Sequence, residues 1–472
     1  MFETIVNSIN DFLYGYILIA LLLIGGLYFS IRTKFAQFRL LKEQFRCVGE
    51  KPKDKQGVSS FQALMVSTAS RVGTGNIIGV TSAICLGGYG AVFWMWVIAL
   101  IGGASALIES TLAQIFKRKG KDGYYGGPAY YIEAIFKRPV AIVFCICLIL
   151  TYAFGFNMLA SFNLQDSFST YDFYNPEITP WIIGGIVAVL VGICLLGKGK
   201  KLVKVTEFLV PIMGVAYIVV ALLVILLNIP VLPAVFAEIF RSAFDFGAIF
   251  GGLAGSCLML GIKRGLFSNE AGVGSAPNAS ASADVSHPVK QGLVQVLSVF
   301  IDTILICSAT AFMIMCSGVD AGELAVGGSY APVVQGALHS VFGDAGTVFI
   351  TVAMVLFAFT TLLGNLYYVD NAFAYILGKE PSDTFKTVYK LVFCVVILVG
   401  AVLSSSLLWG IADVLMGIMV LINIPVLICL CKYAVRAIKD YDAKRKSGDV
   451  KFRVKDIDLP YQVECWHDEQ SK

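Results

Sequence analysis

Apolar residues fall in long runs separated by short polar and charged stretches. Runs long enough to cross a bilayer lie at 12–31, 61–86, 90–116, 139–168, 181–197, 206–228, 246–264, 291–316, 346–377, 388–406 and 410–432. About 20 apolar residues are needed for a helix to cross ~30 Å of hydrocarbon. The pattern therefore predicts an all-α integral membrane protein of about eleven transmembrane helices.

The basic residues alternate with these runs. Of 36 Lys and Arg, eight lie in 32–55, six in 117–138, four in 198–204, three in 263–290, three in 379–390 and ten in 432–472. Of the two left over, Arg241 falls in an intervening loop and Arg71 falls deep inside a run. Positive charge gathers in cytoplasmic loops, so this alternation predicts a multi-pass cell-membrane protein with its N-terminus outside and its C-terminus inside. Residues 1–11 carry no Lys or Arg, so the first run reads as a retained anchor rather than a cleaved signal. The charged tail 433–472 is expected to be partly disordered or to lie on the membrane surface.

Composition agrees with a membrane class. The chain of 472 residues is 57% hydrophobic and 14% charged, with a mean hydropathy of +0.78. A soluble domain of this size could not bury so much apolar side chain. Most of the 12 cysteines sit inside apolar runs, where they read as small packing residues. Three histidines are poor material for a metal or hydrolytic centre, and no phosphate-binding G-x-x-x-x-G-K-[ST] run occurs. The sequence thus argues against an enzyme, a nucleic-acid partner or an organic cofactor. It carries no repeated short filter string of the kind an ion channel uses.

Two runs are interrupted by glycine-rich polar strings, Ser67 to Gly79 and Gly265 to Pro277. Gly73, Gly75, Gly272 and Gly274 weaken helix there. Unwound backbone at membrane depth is tolerated only where it lines a cavity or binds a ligand. With the first run set aside, ten remain, and each group of five opens on one interrupted element. An odd number per half inverts the second half, as in transporters built from inverted repeats with a midplane site. The expected divisions are 1–57 as an extra helix and basic loop, 58–230 and 231–432 as the two repeats, and 433–472 as the tail.

Five strings carry a family resemblance: A-S-R-V-G-T-G-N-I-I-G-V (69–80), G-A-V-F-W-M-W (90–96), D-G-Y-Y-G-G-P-A-Y-Y-I (122–132), G-L-F-S-N-E-A-G-V-G-S-A-P (265–277) and F-I-D-T-I-L-I-C-S-A-T-A-F (300–312). In this order they resemble the alanine or glycine:cation symporter family, over roughly residues 61 to 430. The resemblance implies a leucine-transporter-like five-plus-five inverted repeat with an extra N-terminal helix. It implies sodium-coupled uptake of small neutral amino acids such as alanine and glycine, with glutamine preference or proton coupling as the alternative.

By that resemblance, Thr74, Gly75, Asn76, Gln165, Phe267, Ser268, Asn269 and Gly272 contact the substrate. Its carboxylate is expected at the N–H groups of Thr74 to Asn76. Sodium is expected on the carbonyls of Ala69 and Val72 with the hydroxyls of Thr360 and Thr361. The competing reading has each threonine bonding its own helix. Arg71 is the lone deep cation, with Glu109, Glu270 and Asp302 as candidate partners. A gating or coupling role and a structural ion pair stand level for it.

Overall fold

The computed structural model describes residues 2–52, 57–120, 123–196, 200–245, 247, 256–448 and 450–467. It is nearly all helix. The exception among the described residues is a small antiparallel hairpin, Arg118–Gly120 with Gly123–Tyr125, and an isolated parallel bridge between Val58 and Ala283.

Among the described residues, seven helices are long and apolar enough to cross a membrane: Glu3–Arg32, Gly90–Ile115, Pro128–Asp166, Thr179–Leu196, Pro288–Ser317, Asp344–Leu377 and Ser405–Ser447. An eighth is gained if Pro211–Leu227 and Ile229–Ala243, bent by 76°, count as one span. Several boundaries shift from the hydropathy reading. The fourth run starts at Pro128 rather than 139, because a kink at Lys137 (φ 64°) joins two helical pieces ahead of Pro139. Residues 246 and 248–255, at the start of the seventh run, lie outside the described residues, and the helix there is Cys257–Asn269.

Both interrupted elements break. Ser60–Arg71 is 12 residues, ~18 Å long, and starts at a Ser59/Gln62 capping box. The chain then runs non-helically through Val72 and Gly73, resuming as a π-helical turn, Gly75–Gly79, and an α-helix, Val80–Gly87. Cys257–Asn269 ends where Glu270 adopts a left-handed conformation (φ 53°), and Pro277–Ser282 follows. Neither fragment alone spans a bilayer.

The Gly90–Ile115 helix forms the centre, packed by Pro288–Val299, Cys257–Asn269 and Ile19–Arg32. Glycine lets these backbones meet: a Cβ at Gly292 would lie 2.6 Å from the Leu107 carbonyl oxygen. Without a hydrophobic drive between helices in lipid, such close approach is what holds them. Ile182, Ile186, Val189 and Ile193 leave one face of Thr179–Leu196 apolar and exposed, as a lipid-facing surface requires.

Residues 449 and 468–472 of the tail lie outside the described residues. Residues 450–467 fold back onto the protein. Phe452 N–H donates to the Ser286 carbonyl at 3.2 Å, and Trp466 Nε1 donates to the Gln114 carbonyl at 2.8 Å. Lys117 Nζ sits 4.4 Å above the Trp466 ring, and Glu464 accepts from the Lys119 N–H at 3.0 Å. The charges that suggested solvation are used in pairs such as Lys444 with Asp456 at 2.6 Å, while Phe452 and Ile457 are buried. Phe452 also packs on His287, which caps Pro288–Val299 through Nδ1 and pairs with Asp440 at 3.2 Å. Burial pushes the His287 imidazole below its ordinary pKa against the pull of Asp440. Trp466→Ala removes the anchor and should cost the tail about 2–3 kcal/mol, less than a fully buried tryptophan. Limited trypsinolysis at Lys451 and Arg453 should accelerate at least ~10-fold; an unchanged cleavage rate would mean the tail is not held this way.

Candidate functional site

The two breaks face each other in the interior, and the unwound backbone groups are met one by one. In the first break, the Gly73 N–H turns from its helical acceptor, the Ala69 carbonyl, to Asn76 Oδ1 at 2.9 Å. The Asn76 N–H bonds the Gly73 carbonyl at 3.2 Å instead of that of Val72. Ala69 and Val72 thereby lose their i+4 donors, which is the state a cation-binding carbonyl needs. The Asn76 carbonyl accepts from Thr310 Oγ1 at 2.8 Å.

In the second break, Ala271 N–H donates to Asn269 Oδ1 at 3.0 Å and Gly272 N–H to Glu109 Oε1 at 3.2 Å. Asn423 Nδ2 binds the Gly272 carbonyl at 2.9 Å and Glu109 Oε2 at 3.1 Å. Gly272 has φ +87°, and a Cβ there would stand 2.8 Å from Ile424. A buried carboxylate and amide thus replace the lost helical partners of one peptide.

Between the breaks lies a polar cluster. Asp302, on the π-helical stretch Phe300–Cys307, accepts from Asn76 Nδ2 at 2.7 Å, Ser268 Oγ at 2.6 Å and Thr303 Oγ1 at 2.8 Å. Asn269 Nδ2 donates to Thr303 Oγ1 at 3.3 Å. Asn76 and Ser268 are therefore committed to each other and to Asp302, and Asn269 to Thr303 and the Ala271 N–H, with few polar atoms left for a ligand.

Beside this cluster, Ser70, Arg71, Gly73, Thr74, Gly75, Phe156, Ala160, Phe267, Glu270 and Thr361 line a small cavity. Its free space is about 10 Å³, room for about one water molecule and far below the ~300–1,000 Å³ of drug-sized sites. A Cβ at Gly75 would stand 2.5 Å from the Phe267 ring. Phe267 stacks in turn against Phe156 and Trp409, with centroids 4.6 and 4.9 Å away. Beyond Trp409, Arg264 lies 3.8 Å over the indole and makes a bidentate pair with Asp413 at 3.1 and 3.1 Å.

The predicted residues divide. Thr74, Gly75 and Phe267 line the cavity. Gly272 is buried beside Glu109, outside that lining. Gln165 lies away from it, accepting from Tyr174 at 2.8 Å, while Asn163 of the same N-L-Q string reaches Thr74 Oγ1 at 3.2 Å. A two-residue offset on a helix changes the face, and the string alone did not fix it. Thr360 bonds the Leu356 and Phe357 carbonyls of its own helix at 3.1 Å each, as the competing reading had it. Thr361 Oγ1 is buried without a hydrogen-bond partner and points at Gly73, where a Cβ would collide with it. Gly364, one turn on, lets this helix approach the Ala69–Ser70 backbone, with Ser70 N 2.8 Å from the Cβ position.

Arg71 makes no ion pair within 4.0 Å with Glu109, Glu270 or Asp302; it bonds Gln295 Oε1 at 3.0 Å. The three carboxylates are occupied by N–H and O–H donors that the residue count could not foresee. Lys263 and Arg264, tallied above as loop charges, are buried in Cys257–Asn269 beside Asp413. A partner about 150 residues away in sequence was invisible to charge counting.

Two interrupted helices facing across a buried polar cavity in a bundle of apolar helices define a membrane transporter. The family profile described as sodium:alanine symporter matches residues 1–455. The chain belongs to the sodium:alanine symporter family. Amino-acid carrier protein AlsT of Bacillus subtilis (strain 168) is 41% identical over 474 residues, covering 100% of this chain and 99% of its own. The probable sodium/glutamine symporter GlnT of the same organism is 42% identical, covering 98% and 96%. The sodium/alanine symporter AgcS of Methanococcus maripaludis is 34% identical, covering 94% and 98%. A crystal structure of an Eremococcus coleocola manganese transporter mutant shares the fold, with a TM-score of 0.58 at 13% identity over 79% of this chain and 78% of that one.

Proposed function

We propose that the protein is a sodium-coupled symporter of small neutral amino acids, alanine and glycine foremost, working by alternating access in the plasma membrane. In this reading eleven spans form two inverted five-helix repeats after an extra first helix, with the N-terminus outside and the C-terminus in the cytoplasm. The observation that carries it is the partnerless hydroxyl of Thr361 set against Gly73, in the same short break that releases the carbonyls of Ala69 and Val72 from their helical donors. Sodium is a hard cation that takes several neutral oxygens, and these three form the core of its set. Thr360 is left out because its hydroxyl serves its own helix. The substrate occupies the cavity beside Thr74, Gly75 and Phe267, while Asn76, Ser268, Asn269 and Gly272 keep the breaks in shape.

Proteoliposomes test this. Labelled alanine should accumulate on an inward sodium gradient and stop doing so when potassium replaces sodium. Thr361→Val should raise the sodium concentration for half-maximal uptake ~10-fold or more, the loss of about one ion-bound oxygen, whereas Thr360→Val should shift it less than ~2-fold. Equal effects of the two would remove Thr361 from the ion site. Glutamine outcompeting alanine would shift the substrate reading to the larger side chain, in keeping with the name that GlnT bears.

A further inference from the structure

The first span ends at Arg32, and the chain beyond it is turned back and fixed to the protein. Lys34 and Phe35 both take left-handed conformations (φ 56° and 53°), uncommon for residues other than glycine. The Phe35 N–H donates to the Ser30 carbonyl at 2.7 Å, and Gln37 Nε2 to Ser30 Oγ at 2.8 Å. The short helix Leu41–Val48 is held in turn. Gln44 Nε2 donates to the Gln37 carbonyl at 2.6 Å, and Glu43 accepts from Tyr441 Oη at 2.8 Å.

This anchoring gives Leu41–Val48 three sides, at ~100° per residue. Glu43, Gln44 and Cys47 face the protein, the last two buried. Leu41 and Phe45, 44% and 61% exposed, make an apolar outer side. Lys42 and Arg46 make a basic one, also exposed. Residues 32–46 hold five cations against one carboxylate, Glu43. Arg39 is taken by Asp442 at 2.8 Å, while Arg46 stands 3.9 Å from Glu43 with its side chain 80% exposed. Among the described residues, Lys34 and Lys42 join no ion pair. The apolar side continues the lipid-facing surface of Ile19–Arg32, where Ile24, Leu27 and Ile31 are exposed. An apolar side next to a basic one, just past the end of a span, fits the boundary between acyl chains and headgroups.

We propose that residues 34–46 bind anionic phospholipid headgroups, with Lys34, Lys42 and Arg46 on the phosphates and Leu41 and Phe45 in the acyl layer. In the orientation proposed above this is the cytoplasmic leaflet, whose surface carries a negative potential. The contact adjoins the transport machinery: Phe38 stacks at 6.0 Å on Phe300, the first residue of the π-helical stretch that bears Asp302. The proposal goes beyond substrate and ion and stands or falls apart from them, since lipid binding is its readout.

The test is thermal unfolding of the full chain in a neutral detergent, titrated with dioleoylphosphatidylglycerol, dioleoylphosphatidylcholine or glycerol 3-phosphate. Each cation near an anionic surface strengthens binding ~5-fold. Phosphatidylglycerol should therefore raise the melting temperature at a concentration at least ~10-fold below that of phosphatidylcholine, and salt at ~0.5 M should shrink this preference. Exchanging Lys34, Lys42 and Arg46 together for Gln should remove the preference and leave the lipid-free melting temperature unchanged, because these side chains are exposed. Lys42→Gln alone should cost ~5-fold of it, which reads the site even if the triple variant yields no folded protein. Exchanging Lys432, Lys439 and Lys446 of the last helix for Gln should leave it intact. Phe45→Ser should weaken both lipids together. No preference in the unaltered protein, one that survives the triple exchange, or one lost with the last-helix exchange overturns the proposal. Glycerol 3-phosphate stabilising as well as phosphatidylglycerol would give the cations to free phosphate and overturn it too. So would a Phe45→Ser variant that changes oligomeric state and keeps the preference, since the apolar side would then belong to a second copy of the chain.

Discussion

Asp413→Ala should lower the unfolding free energy by about 3–5 kcal/mol, the usual cost of removing one partner from a buried ion pair. Asp413 is 1% exposed and faces two cations: Arg264, bonded through both nitrogens at 3.1 Å, and Lys263 at 3.7 Å. Asn10 Nδ2 reaches the same carboxylate at 3.4 Å, and Tyr14 donates to the Asp413 carbonyl at 3.2 Å. Without the carboxylate, two buried positive charges lose their shared acceptor and rest on the faces of Trp409 and Tyr14, and a cation–π contact is worth ~2 kcal/mol when desolvated. Uptake should fall as well, because Trp409 supports Phe267 over Gly75. Thermal unfolding in detergent checks the first effect; a melting temperature equal to that of the unaltered protein would show that the pair is not holding these helices.

Asp302→Ala should abolish uptake, with a drop of at least ~100-fold, and cost ~3 kcal/mol or more in stability. Three donors lose their acceptor at once, and each buried donor left unsatisfied costs about 1–3 kcal/mol. The consequence runs through Asn76. Its Nδ2 is steered by Asp302, and its Oδ1 holds the Gly73 N–H away from Ala69. Freed to rotate, the amide no longer keeps the first break open, and the Ala69 carbonyl regains its helical donor. Asp302→Asn retains one acceptor and should lose less stability than Asp302→Ala. Initial rates in proteoliposomes, with folded yield measured alongside, distinguish this account from mere unfolding: wild-type rates in Asp302→Ala would contradict it.

Much of this architecture was legible in the chain because membranes impose a strong rule on the backbone. Paired glycines beside Asn, Thr and Ser marked both breaks, and φ values of +87° and +89° at Gly272 and Gly274 give the reason. Glu270 was not foreseen as the left-handed residue, since nothing in its side chain favours φ of 53°. What stayed hidden was pairing over long sequence distance. Asn423 on Gly272, Asp413 on Arg264 and Gln295 on Arg71 each join helices that only the fold brings together. Facing was hidden for the same cause: Gln165 and Asn163 share a string, as do Thr360 and Thr361, and only packing decides which member turns inward. The tail misled through its charge, which is spent on partners within the protein.

The docked segment 450–467 has a bearing on how the chain is assembled in the cell. Trp466 closes on Gln114, and Phe452 on Ser286, only after every helix between them has left the ribosome. Until then Gln114 and Ser286 lack these partners. The contacts of 450–467 are therefore among the last this chain can form, and a chain cut short within Ser405–Ser447 would lack them.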